Sequence, residues 1–237
     1  MKTLYIALIL FLFIIGLGVY YYYYYDIEIK FRKLTRKKYK PGLCPITDGY
    51  NRPKIIKNFI SLDLCQKLID WASPRMKDAE VIAYDKLDSK SRNNKVAWMN
   101  KKNKICLPII EKAEKLVRLP RKNFEDLQIA MYYPGMYFHH HTDQCKEDNK
   151  PCHSENRRGG LRIYTILLYL NDGYEGGETD FNKLKMRFKP PAGSAVLFEN
   201  LNTKGDQVHP LSEHAGLELK SKQKWIANFW IREDTFF

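Results

Sequence analysis

From residue 126 onward the chain reads as short apolar segments broken at close intervals by clusters of Gly, Pro, Asn and Asp. That pattern admits few architectures. Strands are expected over Leu127–Tyr133, Arg162–Leu170, Ser194–Glu199 and Lys224–Ile231. Short strands with long connections imply a sandwich or barrel of the jelly-roll kind. Upstream the pattern is helical. Ser61 is placed to cap a helix over Leu62–Ala72, which Pro74 ends. A second helix fits Ile105–Val117, with Ile109, Ile110, Ala113, Leu116 and Val117 at helical spacing. Both helices would pack outside the β core. With 237 residues and 44% hydrophobic content, the chain has room for one domain and an extra segment.

That segment is N-terminal. Residues 3–25 hold no charge over 23 positions and end in six tyrosines. A helix of that length spans a bilayer core, with Tyr20 to Tyr25 at the interface. A cleaved signal peptide is the rival reading, since Gly16-Leu17-Gly18 resembles a cleavage site. Residues 26–53 read as a basic, proline-containing linker, and the folded domain is expected to begin near Lys54. Of the net charge of +13, eight Lys and Arg against Asp26 and Glu28 put +6 in the first forty residues and leave +7. A basic surface fits an acidic polymer, a membrane face or an acidic peptide, and does not choose among them.

The five cysteines form no Cys-x-x-Cys pair, which argues against a zinc ribbon or a thioredoxin-like site. Cys145 and Cys152 bracket a polar loop and could be bridged.

All six histidines fall between residues 139 and 214. His141-Thr142-Asp143 places an imidazole and a carboxylate two apart, on the same side of an extended chain. With one distant histidine they would make the facial triad of a non-haem iron(II) oxygenase. His139 and His140 lack a carboxylate at that spacing and are expected to be surface or supporting groups. His153, His209 and His214 are the candidates for the third ligand. Context favours His214, because Lys224 follows ten residues later on the strand KWIANFWI. A lysine near the iron could pair with the far carboxylate of 2-oxoglutarate.

Four ordered stretches then resemble the catalytic domain of the prolyl 4-hydroxylase family, over residues 126–232. They are Tyr132, Gly135, His141 and Asp143; GGLRIYTILLYLND from Gly159; Gly176 to Thr179, followed by Phe181; and His214, Gly216, Lys224 and Trp225. The resemblance implies a mainly β fold, a double-stranded β-helix (jelly-roll) core with flanking α-helices, here preceded by one transmembrane helix. It implies Fe(II) on His141, Asp143 and His214, and 2-oxoglutarate on Lys224. It also implies a cosubstrate pocket lined by Tyr132 and Thr165, and an aromatic wall from Trp230. The expected reaction couples oxidative decarboxylation of 2-oxoglutarate by O2 to hydroxylation of a peptidyl proline, with L-ascorbate as reductant. A collagen-like or proline-rich peptide is the family expectation.

Other readings are a lysyl or nucleic-acid oxygenase, disfavoured because those families typically carry arginine where Lys224 stands, and an inactive jelly-roll binding module, disfavoured by the intact triad. The polar residues 144–158 are expected to form a lid, with Arg157, Arg158 and Arg162 steering substrate. Orientation is divided. Lys2 against seven basic residues between Lys30 and Lys40 puts the domain in the cytosol by the positive-inside rule. The family resemblance and a Cys145–Cys152 bridge favour the endoplasmic reticulum lumen, which is the reading adopted. Oligomeric state is not legible.

Overall fold

Side chains alternate along the strands between two buried faces, and this is seen most directly in the last strand. The computed structural model describes residues 13–20, 43–79, 82–83, 86–87, 91–144 and 158–237. The strands are β1 (Lys54–Ile56), β2 (Lys77–Asp78), β3 (Ile82–Ala83), β4 (Lys86–Leu87), β5 (Lys95–Met99), β6 (Leu127–Tyr132), β7 (Phe138–His141) and β8 (Arg162–Tyr169). They continue as β9 (Glu175–Gly176), β10 (Thr179–Phe181), β11 (Met186–Phe188), β12 (Ala195–Glu199), β13 (His214–Gly216), β14 (Leu219–Ser221) and β15 (Lys224–Arg232). A seven-stranded sheet runs in the order β1-β12-β8-β15-β6-β5-β2, and a four-stranded sheet in the order β11-β10-β13-β7. Their pairings are antiparallel.

In β15, Trp225, Ala227, Phe229 and Ile231 face one way. They join Leu127, Ile129 and Met131 of β6 and Ile166 and Leu168 of β8 in one core cluster. Helices α1 (Leu62–Ala72) and α2 (Leu107–Val117) cover this face with Leu68, Ala72, Ile109, Ile110 and Ala113. The opposite face carries Ala130, Tyr132, Leu167, Tyr169, Val196, Phe198 and Ile226, packed on Phe181 and Phe188 of the small sheet. The central strands are buried on both faces, so they read as near-continuous apolar runs instead of alternating ones.

Helix α1 keeps the predicted bounds, and Ser61 Oγ accepts the Leu64 N–H at 3.2 Å. Helix α2 starts two residues later than its periodicity suggests. Pro108 sits in its first turn, where a missing N–H costs nothing, and the Ile105 N–H is taken by Asn103 Oδ1. The four strands foreseen are present within one residue at each end, whereas the short strands of the small sheet carried too few residues to show a period.

The folded unit also reaches upstream of Lys54. Cys44 is buried and its N–H donates to Val208 O at 3.0 Å, while Tyr50 Oη donates to Glu199 O at 2.8 Å. Proline and charge made this stretch look like linker, but a segment can pack through backbone bonds that leave no hydrophobic pattern.

Residues 13–20 are helical and exposed. No helix among the described residues is long and apolar enough to cross a membrane. The rest of the 3–25 run, the Cys145–Cys152 pair, Arg157 and nearly all of the expected lid lie outside the described residues. Cys44, Cys65 and Cys106 are free and buried.

Candidate active site

The small sheet brings two distant histidines together. Strand β13 pairs with β7 so that His214 is the cross-strand partner of His141, with ring centroids 4.4 Å apart. The chain turns out of β7 and returns Asp143 to the same point. Asp143 Oδ1 lies 3.7 Å from His141 Nε2 and 3.9 Å from His214 Nε2. Candidate ligand atoms of the three residues fall within 4.8 Å of one another.

The outer nitrogens set the tautomers. His141 Nδ1 donates to His139 O at 2.8 Å and His214 Nδ1 to Ser212 O at 2.9 Å. Carbonyl oxygens only accept, so both Nε2 lone pairs are left free for a cation. Burial, then the neighbouring His214, pushes His141 well below the usual imidazole range and keeps it neutral. Burial alone would raise Asp143. His214, His141, the Thr165 hydroxyl and Arg162 outweigh it and hold the carboxyl below its ordinary value. Two imidazoles with their Nε2 atoms turned inward and one carboxylate, gathered on one side of a hollow, suit Fe(II) with positions left open.

The hollow lies between the sheets and is lined by Tyr132, Phe138, Leu167, Thr179, Gly216, Ile226 and Trp230 as well as the triad and Lys224. A Cβ on Gly216 would make only ordinary contact there, 3.6 Å from Tyr132 Oη and 3.8 Å from Phe138. Lys224 is 1% exposed. Its Nζ donates to Gly177 O at 2.6 Å and lies 5.1 Å from the centre of the Tyr132 ring. Gly176 and Gly177 hold φ of +68° and +65°, and a Cβ on Gly177 would meet Lys224 Cδ at 3.2 Å. The paired glycines therefore let backbone close on the lysine stem. Burial lowers Lys224 to about 7, and among the described residues no carboxylate lies within salt-bridge distance of it.

Tyr132 and Trp230 line the hollow. Thr165 does not line it. Its Oγ1 donates to Asp143 Oδ2 at 2.6 Å and accepts from Asn200 Nδ2 at 3.0 Å, so it orients a metal ligand. In the large sheet Thr165 is the partner of both Trp230 and Phe198, a central placement that its own sequence context does not reveal. Two of the supposed steering arginines are engaged by the protein's own groups. Arg162 pairs with Glu125 at 2.6 Å, donates to Asp143 O at 2.9 Å and stacks 4.0 Å over Trp230. Arg158 donates to Phe237 O and packs on Phe236. His140 points away from the triad to Asp180, at 3.2 Å. His209 points to Asp48 O and lies outside the triad.

Sequence reasoning missed Arg92. It is 7% exposed, bonds Asn94 Oδ1 at 2.8 Å, lies 4.5 Å from the Phe138 ring centre, and its charge acts on His141. No motif surrounds it. Asn200 and Glu125 were missed for the same reason.

Residues 127–232 match the family model of the 2OG-Fe(II) oxygenase superfamily. The chain is 38% identical over 191 residues to a putative prolyl 4-hydroxylase of Acanthamoeba polyphaga mimivirus, covering 81% of this chain and 78% of that protein. The chain belongs to the prolyl 4-hydroxylase family of 2OG-Fe(II) oxygenases. It is also 30% identical to prolyl 4-hydroxylase 1 of Arabidopsis thaliana, over 76% of this chain and 68% of that one. Among solved structures, the viral collagen prolyl hydroxylase of Paramecium Bursaria Chlorella virus-1, in complex with 2OG, is 32% identical. It aligns with a TM-score of 0.59 over 77% of this chain and 96% of that one. The jelly-roll oxygenase fold, the dependence on Fe(II) and 2-oxoglutarate and the dioxygenase activity follow for this family member.

The state of Lys224 gives a pH prediction. Its charged form gains a partner only when a carboxylate enters, so binding raises a value that burial has lowered to about 7. With Mn(II) saturating, 2-oxoglutarate should bind with full affinity below that value. Affinity should then weaken by up to ~10-fold per pH unit above it, with close to one proton taken up. Calorimetry in buffers of different ionisation enthalpy measures the uptake. A flat affinity and no proton uptake from pH 6.5 to 8.5 would remove Lys224 from the binding step.

Proposed function

We propose that this chain hydroxylates C4 of proline in an extended, proline-rich or collagen-like peptide. The observation that carries the reading is one hollow holding a His-Asp-His triad and a buried lysine that has no carboxylate partner among the described residues. The family assignment supports the choice of proline. When bound, Fe(II) with 2-oxoglutarate and O2 supplies the oxidising power: the keto acid leaves as succinate and CO2, one oxygen atom goes into succinate and the other into the C–H bond.

The chain's own residues do the positioning. His141, Asp143 and His214 offer the metal ligands. Lys224 takes the distal carboxylate of 2-oxoglutarate as a charge-assisted pair in a dry site. Leu167, Phe138 and Ile226 line the hollow with apolar surface and exclude water. Trp230 lines the hollow, and its ring lies 5.8 Å from that of Trp98, which is 49% exposed. Aromatic surface therefore runs from the hollow to solvent, suited to a polyproline II segment, which such surfaces bind at low entropic cost. The test is a panel of proline-rich, collagen-like, lysine-containing and oligonucleotide substrates, with Fe(II), 2-oxoglutarate and L-ascorbate, the reductant the family resemblance implies. One added oxygen on proline with matched succinate release supports the reading. Oxygen on lysine or nucleobase only overturns it.

Residues 3–25 anchor the enzyme in a membrane in this reading, with the catalytic unit facing the endoplasmic reticulum lumen. The 23-residue uncharged run supports the anchor. The full chain in sealed microsomes should resist added protease until detergent is present, and digestion without detergent would reverse the orientation.

A further inference from the structure

The hydrogen bonds that orient two of the metal ligands converge on His209, which is fully buried. The His209 carbonyl accepts the Ser212 N–H at 3.0 Å and the Ser212 hydroxyl at 2.7 Å. Those bonds close the short turn whose Ser212 O receives His214 Nδ1. In the other direction the His209 N–H donates to Asn200 O at 3.0 Å. Asn200 Nδ2 then donates to Thr165 Oγ1, and Thr165 to Asp143 Oδ2.

The ring of His209 is held by the upstream segment. Nδ1 accepts the Leu211 N–H at 3.1 Å, which leaves Nε2–H to donate to Asp48 O at 2.9 Å. Tyr50 stacks on the ring at 4.6 Å and 25°. The Tyr50 hydroxyl is tied to Glu199 O, one residue before Asn200. Further bonds from Cys44 N–H to Val208 O and from Asn202 Nδ2 to Asp48 Oδ2 fasten the segment to the same loop.

We propose that residues 43–51 form a strap belonging to the metal centre, with His209 as the positioning residue through which it acts on Asp143 and His214. A neutral apolar side chain at 209 would still fill space. It would leave Asp48 O and Leu211 N–H without their buried partner and free the turn that carries Ser212 O. The ligands would then have to be ordered by the metal itself, which weakens its binding. A domain boundary at Lys54, as the sequence suggested, would leave this support out. The proposal rests on the His141–Asp143–His214 metal centre and is independent of which peptide is hydroxylated.

The experiment measures Mn(II) affinity of the full chain by titration, and thermal unfolding with and without Mn(II). His209→Ala should weaken Mn(II) by ~10–100-fold, the range for groups that orient a ligand. Its kcat should recover toward the wild-type value at saturating Fe(II), while the Fe(II) requirement rises. His209→Gln, which can still donate to Asp48 O, should regain part of the affinity. If His209→Ala does not fold, Tyr50→Ala decides: it loosens the strap from a half-buried position and should also weaken Mn(II). Leu68→Ala, on the helix-covered face, is the control for lost stability alone and should leave Mn(II) affinity unchanged. Wild-type Mn(II) affinity in the strap variants would overturn the proposal, as would an equal loss in Leu68→Ala. A wild-type chain that binds no Mn(II) would instead mark failure of the triad itself.

Discussion

Replacing His214 with alanine should abolish divalent-metal binding and all turnover. His214 Nε2, His141 Nε2 and Asp143 Oδ1 converge on one point, and each residue offers a single ligand atom there. Groups that only orient a ligand cost ~10–100-fold when removed, so loss of a ligand itself should exceed that range. The two remaining groups also suffer. His141 loses the imidazole tilted against it, and Asp143 keeps its Thr165 bond without the second imidazole. His140→Ala is the matched control, because that ring is turned to Asp180 and should leave Mn(II) affinity unaltered. Titration of Mn(II) into both variants reads the difference. Wild-type affinity in His214→Ala would mean that the metal sits elsewhere.

Replacing Lys224 with alanine should raise the 2-oxoglutarate requirement by ~100-fold or more while Mn(II) stays bound. Removing one partner of a buried ion pair costs roughly 3–5 kcal/mol. At ~1.4 kcal/mol per decade that is between two and four orders of magnitude in affinity. The value of about 7 for Lys224 takes little from this at neutral pH, where charging half the population changes affinity only about twofold. The lysine also holds Gly177 O, so the variant should lose some thermal stability, and the metal titration separates that from collapse of the site. An unchanged KM for 2-oxoglutarate, or a KM that no longer depends on pH in the wild type, would assign the distal carboxylate to another cation such as Arg92.

Local pattern made part of this protein legible without a structure. Helix α1 and its Ser61 cap and the four strands foreseen follow from spacing and periodicity, whereas the grouping of His141, Asp143, His214 and Lys224 in one site was what the resemblance to the prolyl 4-hydroxylase family implied. Period two tells which face a residue occupies, and a His-x-Asp pair needs only one extended stretch to point its ligands together. The partners across the fold were beyond that reach. Thr165 looked like a pocket wall and orients Asp143. Arg162 looked free to meet substrate and is spent on Glu125 and Asp143 O. Residues 43–51 looked like linker and are hydrogen-bonded to the segment that leads into His214. Each of these depends on which strand lies beside which, and on hydrogen bonds between residues far apart in the chain. A sequence determines the side chain and its local face. The tertiary structure alone decides what stands opposite, because a buried polar group takes whichever partner the packing brings within about 3 Å.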